Sequence, residues 1–145
     1  MTDIYFVRHA ESFGNLTRRV YGHFDGLVTP KGYKQIETLR ERFRDIHIDR
    51  VYSSDLTRTC ETAKAIYEPK NLPLIKCAAF REIGFGVWED RPWGELVSLY
   101  PEEYEAWGAN PLAFSVSGSE TYRDVYKRAK AALDEIASEN DGKAI

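Results

Sequence analysis

Two hydrophobic periodicities alternate along this chain. Ile4-Tyr5-Phe6-Val7 is a continuous apolar run, aromatic and β-branched, which predicts a buried strand ending at Arg8-His9. Residues 11–19 are polar and predict a loop or a short helix. Thr29-Pro30 marks a helix start, with Thr as N-cap and Pro at the first helical position. Ile36, Leu39 and Phe43 give that helix one apolar stripe, ending near Arg44. Arg50-Val51-Tyr52-Ser53 predicts a second strand. A helix opening at Ser54-Asp55 and running to about Tyr67 turns Leu56, Cys60, Ala63 and Ile66 inward. Pro73 precedes a third strand, Leu74 to Ala78.

The second half is punctuated differently. A glycine-containing loop, Glu82 to Trp88, leads into an aromatic-rich helical stretch from Trp93 to Trp107, interrupted at Pro101. A last helix from about Glu120 to Ala137 carries Tyr122, Val125, Tyr126, Ala129, Leu133 and Ile136 at helical spacing. Ser117 with Glu120 offers it a capping box. Asn140-Asp141-Gly142 reads as a turn, and Lys143 to Ile145 as the opening of another strand. Strands alternating with amphipathic helices predict an α/β fold, a doubly wound, mostly parallel sheet flanked by helices in a single domain over residues 1–145. Ligands of such sheets bind at the carboxyl ends of the strands. His9, Ser53-Ser54-Asp55 and Glu82 all follow predicted strands and are expected on one rim.

Composition narrows the partners. A hydrophobic share of 43% beside 30% charged residues excludes a disordered chain. A net charge of −3 without a Lys/Arg block argues against nucleic acid. The apolar runs are too short to span a membrane, and a cytoplasmic protein is expected. Cys60 and Cys77 lie in apolar segments and are read as buried free thiols. No His/Cys/Asp cluster has metal-ligand spacing, so neither metal nor cofactor is expected.

The chemistry lies at the predicted strand ends. Arg8 and His9 bring a permanent cation and a nucleophilic imidazole to one point, the pair that phosphoryl transfer through a phosphohistidine needs. Arg58 falls in the first turn of its helix, at the positive end of the macrodipole. A cation there is unfavourable unless an anion is near, and a bound phosphate would resolve the conflict. A solvated Arg58, or one paired with Asp55, is the plainer reading. Glu82 lies near Phe80, Phe85 and Trp88, an aromatic setting that would favour a protonated carboxyl; pairing with Arg81 or Arg91 is the alternative. His47, between Asp45 and Asp49, reads as a surface residue. His23 either lines the pocket or sits at the surface. Trp88, Trp93, Tyr100, Tyr104 and Trp107 either form a lid over a pocket or pack that lid onto the sheet.

Together these blocks resemble the histidine phosphatase superfamily, which includes the phosphoglycerate mutases. Arg8-His9-Ala10-Glu11-Ser12 with Asn15 is similar to its Arg-His-Gly-Glu-Thr signature. Gly22, Asp25 and Leu27 to Gly32 resemble the following loop and helix start. Val51 to Leu56, Arg58-Thr59 and Glu61-Thr62-Ala63 resemble its most specific block. Arg81-Glu82-Ile83, Phe85-Gly86 and Trp88-Glu89 are similar to the proton-donor region, and Gly118-Ser119-Glu120 to the segment before the last helix. The resemblance implies a phosphoglycerate mutase-like fold with a lid insertion over residues 92–117. It implies His9 as nucleophile, Arg8, Arg58 and Asn15 as phosphate ligands, and Glu82 as proton donor.

Three departures stand out. Ala10 replaces a glycine. Tyr21 takes the place of a phosphate-contacting glutamine, which makes it a candidate phosphate contact of altered character. The family's second histidine, in a His-Gly step beyond the last helix, has no counterpart among these residues, so a domain incomplete at its C-terminus is expected.

The function expected is a phosphatase, a phosphoric monoester hydrolase acting on a small phosphorylated metabolite. The loop from Glu82 to Glu89 resembles the phosphatase branch, including α-ribazole phosphatases. A mutase returning the phosphoryl group to its substrate is the alternative, as is a non-catalytic phospholigand-binding domain.

Overall fold

The computed structural model describes residues 1–113 and 115–145; Phe114, within the expected lid, lies outside the described residues. The element order is α1 (Phe13–Thr17), α2 (Pro30–Arg42), β1 (Val51–Ser53), α3 (Thr57–Tyr67), β2 (Leu74–Lys76), α4 (Trp93–Leu99), α5 (Pro101–Ala109) and α6 (Tyr122–Glu139). Short 3₁₀ turns cover Ala78–Phe80, Gly86–Trp88 and Pro111–Ala113. β1 and β2 pair in parallel, with Val51 opposite Leu74 and Ser53 opposite Lys76. The fold is α/β, and the sheet among the described residues is these two strands plus isolated bridges.

The caps explain where the helices begin. The Thr29 hydroxyl accepts the Gly32 N–H at 3.0 Å and Pro30 occupies the first turn, as the sequence predicts. α3 starts three residues later than expected. Asp55 is held by Arg81, and the carboxylate at the helix start comes from Asp25, which accepts the Thr57 N–H at 2.8 Å and its hydroxyl at 2.7 Å. α6 is capped by Thr121 and Asp124 rather than Ser117 and Glu120, because Glu120 is already committed to Arg128 and the Gly84 N–H. Tyr126, expected inward on α6, is 65% exposed.

The predicted first strand is the main correction. Asp3 and Tyr5 exchange backbone hydrogen bonds with residues 143–145, as a parallel bridge from Asp3 to Ala144. That ladder does not continue beyond Tyr5 among the described residues. Phe6 is 79% exposed, and Tyr5 and Val7 are exposed as well. Strand propensity measures how well a side chain fits its neighbours on a sheet, and among the described residues Phe6 and Val7 have no paired strand beside them. Beside it lies an apolar cavity of about 350 Å³ lined by Ile4, Val7, Val51, Ala63, Ile66 and Ile136 among others.

Two apolar cores result. Ala10, Val28, Ile36, Phe43, Ile48, Val51, Ala63 and Ile66 bury against one another where α2 and α3 cover the sheet. Val20, Ile83, Phe85, Trp88, Leu96 and Val116 form the other, with α4 and α5. The loop after His9 is rooted in the first core, and the loop after Glu82 in the second.

Candidate active site

His9 is half-buried at the end of the N-terminal segment. Its Nδ1 lies 2.7 Å from the Ala10 carbonyl oxygen. A carbonyl only accepts, so Nδ1 carries the proton and Nε2 keeps its lone pair. Burial lowers the imidazole pKa from its ordinary 6.5; the hydrogen bond to Ala10 opposes this, and the charges of Arg58 and Arg8 add to the lowering. The result is a neutral ring with one defined nucleophilic nitrogen.

The backbone around His9 is clamped from two sides. The buried Thr62 hydroxyl on α3 accepts the Ala10 N–H at 2.9 Å and donates to the Arg58 carbonyl at 2.7 Å. Glu11 accepts from the Thr29 hydroxyl at 2.8 Å and from Lys31 at 3.0 Å, which ties the next residue to the start of α2. Thr62 therefore links the nucleophile's neighbour and Arg58 through one oxygen.

Arg58 is 2% exposed. Both plainer readings of it fail: it is not solvated, and Asp55 pairs with Arg81 instead. Its Nη1 donates to the Phe24 carbonyl at 3.0 Å and its Nη2 to the Gly22 carbonyl at 2.7 Å. Desolvation pulls its pKa below the ordinary value, and the charges of Asp25, Glu82 and Glu89 oppose that; a guanidinium stays charged regardless. Part of the helix-end field that the sequence reading leaves for a phosphate is met by Asp25.

Glu82 departs from its expected surroundings. Phe85 and Trp88 are buried in the second core, while Glu82 is exposed, with Oε1 accepting the Ile83 N–H at 3.0 Å. It remains within Coulombic reach of both His9 and Arg58. Arg8 is exposed and acts on His9 through its charge. Asn15 is turned toward Ser12, its Oδ1 accepting the Ser12 N–H and hydroxyl at 2.9 Å each. The Tyr21 ring packs against Phe24 in a tilted arrangement, centroids 4.9 Å apart, and burial raises its hydroxyl pKa. His9, Arg8, Arg58 and Glu82 thus come together, with Tyr21 near Arg58 and Asn15 attached through Ser12.

The remaining candidates sort cleanly. His47 is exposed and contacts Asp49 at 3.0 Å. His23 is half-buried, its Nε2 3.4 Å from Glu120 Oε2. Cys60 and Cys77 are free and half-buried rather than buried. The aromatic stretch packs on itself: Trp88 is fully buried, Trp93 and Trp107 sit 5.3 Å apart, and Tyr100 and Tyr104 each lie 6.3 Å from Trp88. None of these rings lines the cavity beside His9. Among the described residues no helix is long and apolar enough to cross a membrane.

The sequence profile of the histidine phosphatase superfamily (branch 1) matches residues 4–145. The chain belongs to that superfamily. Phosphoserine phosphatase 1 of Hydrogenobacter thermophilus is 37% identical over 136 residues, covering 94% of this chain and 64% of that protein. The probable phosphoglycerate mutase GpmB of Yersinia pestis is 35% identical over 138 residues, covering 92% of this chain and 62% of its own length. The chain therefore spans under two thirds of each of these relatives. The solved structure of Bacillus stearothermophilus YhfR superposes with a TM-score of 0.95 at 27% identity, covering 100% of this chain and 72% of that one.

Three residues around this candidate site carry roles that sequence reasoning missed. They are Thr62, Glu89 and Arg128. Arg128 on α6 donates to the carbonyls of Ala79, Arg81 and Glu82, at 2.6, 2.8 and 3.0 Å, and so holds the backbone that carries Glu82. Glu89 accepts four backbone N–H groups. Apart from Phe85, four residues before Glu89, these partners are distant in sequence, and no local spacing reveals them.

Proposed function

We propose that this chain is a phosphatase acting on a small phosphomonoester through a phosphohistidine at Nε2 of His9. The locked imidazole carries the proposal: Nδ1 is committed to the Ala10 carbonyl, and burial with two arginines keeps the ring neutral. In the first step the Nε2 lone pair attacks phosphorus and the bond from phosphorus to the alcohol oxygen breaks. That oxygen takes a proton from the Glu82 carboxyl. In the second step water attacks phosphorus and gives a proton to Glu82. The P–N bond breaks, its electron pair returns to Nε2, and inorganic phosphate leaves. Arg58 and Arg8 supply fixed charge to the phosphoryl oxygens. The Asn15 amide and the Tyr21 hydroxyl are the further contacts proposed for them, and residues 92–117 the lid.

Hydrolysis is favoured over transfer back to substrate because the loop from Glu82 to Glu89 resembles the phosphatase branch. The two curated relatives are named for small phosphorylated acids, so phosphoserine and phosphoglycerate are the first esters to assay. The test is transfer of ³²P from a labelled ester. An acid-labile, base-stable label should appear on the protein, be absent in His9→Gln, and be released to water as phosphate. Label passing to a second substrate hydroxyl indicates a mutase. Phosphate binding without any label indicates a non-catalytic domain.

A further inference from the structure

Glu89 makes an unusual set of bonds. Its Oε1 accepts the N–H groups of His23 at 2.8 Å and Phe85 at 2.9 Å, and its Oε2 those of Gly22 at 3.1 Å and Phe24 at 2.9 Å. Three of these donors are consecutive residues, so the 22–24 segment turns its N–H groups toward one carboxylate, a concave anion cradle. The carbonyls of the same segment serve the other side. Gly22 and Phe24 are the two whose oxygens hold the Arg58 fork.

An anion and a buried cation are thereby joined through one backbone segment rather than by direct contact. Arg58 has no carboxylate within ion-pairing distance among the described residues, despite its burial. A guanidinium has five N–H donors. The loop carbonyls engage both terminal nitrogens and leave about three N–H groups for a ligand. A direct Glu–Arg pair would occupy the fork and oppose an incoming phosphate. The Gly22–His23 peptide is shared, its N–H donating to Glu89 and its carbonyl accepting from Arg58, so the carboxylate polarises that carbonyl toward the cation without itself occupying the fork.

We infer that Glu89 is a positioning residue: by ordering the 22–24 segment it sets the place and orientation of Arg58 for an oxyanion. The inference rests on the phosphate-site reading above. It says nothing of Glu89 touching substrate.

The test is a double-mutant cycle on binding of orthovanadate to the full 145-residue chain, with Glu89→Gln, Arg58→Ala and the double variant. Glutamine keeps the shape but aims an amide N–H₂ at two backbone donors. Glu89→Gln should weaken vanadate binding by about tenfold or more, the scale of one charge-assisted hydrogen bond. In the Arg58→Ala background the same change should alter binding less than about twofold. Glu89→Asp, which keeps the charge, should recover part of the loss, and it replaces Glu89→Gln in the cycle if that variant does not fold. A carboxylate that merely stabilises the loop would give equal losses in both backgrounds, and that additivity overturns the inference while leaving the phosphate site intact. Unchanged vanadate binding in Arg58→Ala overturns the site and the inference together.

Discussion

The two sides of the site are built to different standards. On the Arg58 side, the Arg58 and Glu89 side chains both bond to the backbone of the 22–24 segment, and the cation is buried. On the side that delivers His9, residues 6–8 are exposed and flank an open apolar cavity. The nucleophile is steadied from behind, by Thr62 on Ala10, rather than along its own strand. The contrast teaches that charge placement in this chain is fixed around the cation itself, whereas nucleophile placement depends on side chains that hold the two residues after it, Thr62 on Ala10 and Thr29, Lys31 and Gln35 on Glu11.

The largest effect that would break this comparison is loss of Arg58. Arg58→Ala removes two charge-assisted bonds and strands two loop carbonyls. It should lower unfolding stability by about 2–4 kcal/mol in chemical denaturation. Arg58→Lys should recover less than half of that, because a point charge cannot fork. If Arg58→Ala is as stable as the parent, the braced side is not braced.

Next comes Thr62→Val, which leaves the Ala10 N–H buried and unpaired, at a cost of about 1–3 kcal/mol. Its kinetic effect should be disproportionate. A misplacement of about 1 Å at the nucleophile costs on the order of 10² in phosphorylation rate, measured by rapid quench, and Thr62→Ser should restore it. A rate unchanged alongside lowered stability would show that His9 is held by something other than this clamp.

Arg128→Ala tests the third loop. It should slow turnover by about tenfold or more for esters with poor leaving groups and hardly at all for p-nitrophenyl phosphate, since only the former need the proton from Glu82. Equal slowing across a leaving-group series would separate Arg128 from Glu82.

The pH response is smaller. Because the folded His9 pKa lies below 6.5, the unfolded chain takes up this proton first as the solution is acidified. His9 therefore subtracts stability as pH falls through 6.5, and the penalty levels off below the folded pKa. Comparing parent and His9→Gln in denaturant melts between pH 7.5 and about 5 isolates the contribution; a parent that loses no more than the variant contradicts it. The smallest effect expected is from Val51→Ile, which places one methylene in the cavity and should add up to about 0.8 kcal/mol.

The helices and the β1–β2 pair were legible because their signals are local. Thr29-Pro30, the Ile36 and Phe43 stripe and the interruption at Pro101 each act within a few residues. Errors arose where a distant partner competes for a side chain. Asp55 looks like a cap until Arg81 takes it, and Ser117 with Glu120 looks like a capping box until Arg128 does. Ile4 to Val7 looks like a strand because its residues suit one, although pairing is what makes a strand. Among the candidate site residues, His9, Arg8, Arg58 and Glu82 were singled out at predicted strand and helix ends, and the family resemblance joined them. Thr62, Glu89 and Arg128 each reach backbone groups 46 to 67 positions away besides any nearer partners, and only folding shows them together.

The Tyr21 ring has a consequence for how this chain can drift. A methyl group on Gly14 would fall 2.2 Å from the ring, and one on Gly26 would fall 2.3 Å from it. The two glycines and the tyrosine therefore form a mutational lock: none of the glycine changes is open while the ring is present. If Tyr21 is first replaced by a residue without atoms at those ring positions, the clashes at both glycines are removed, and a side chain gained at either then opposes the return of the tyrosine. The order of substitutions, rather than their final set, decides which neighbouring sequences this loop can reach.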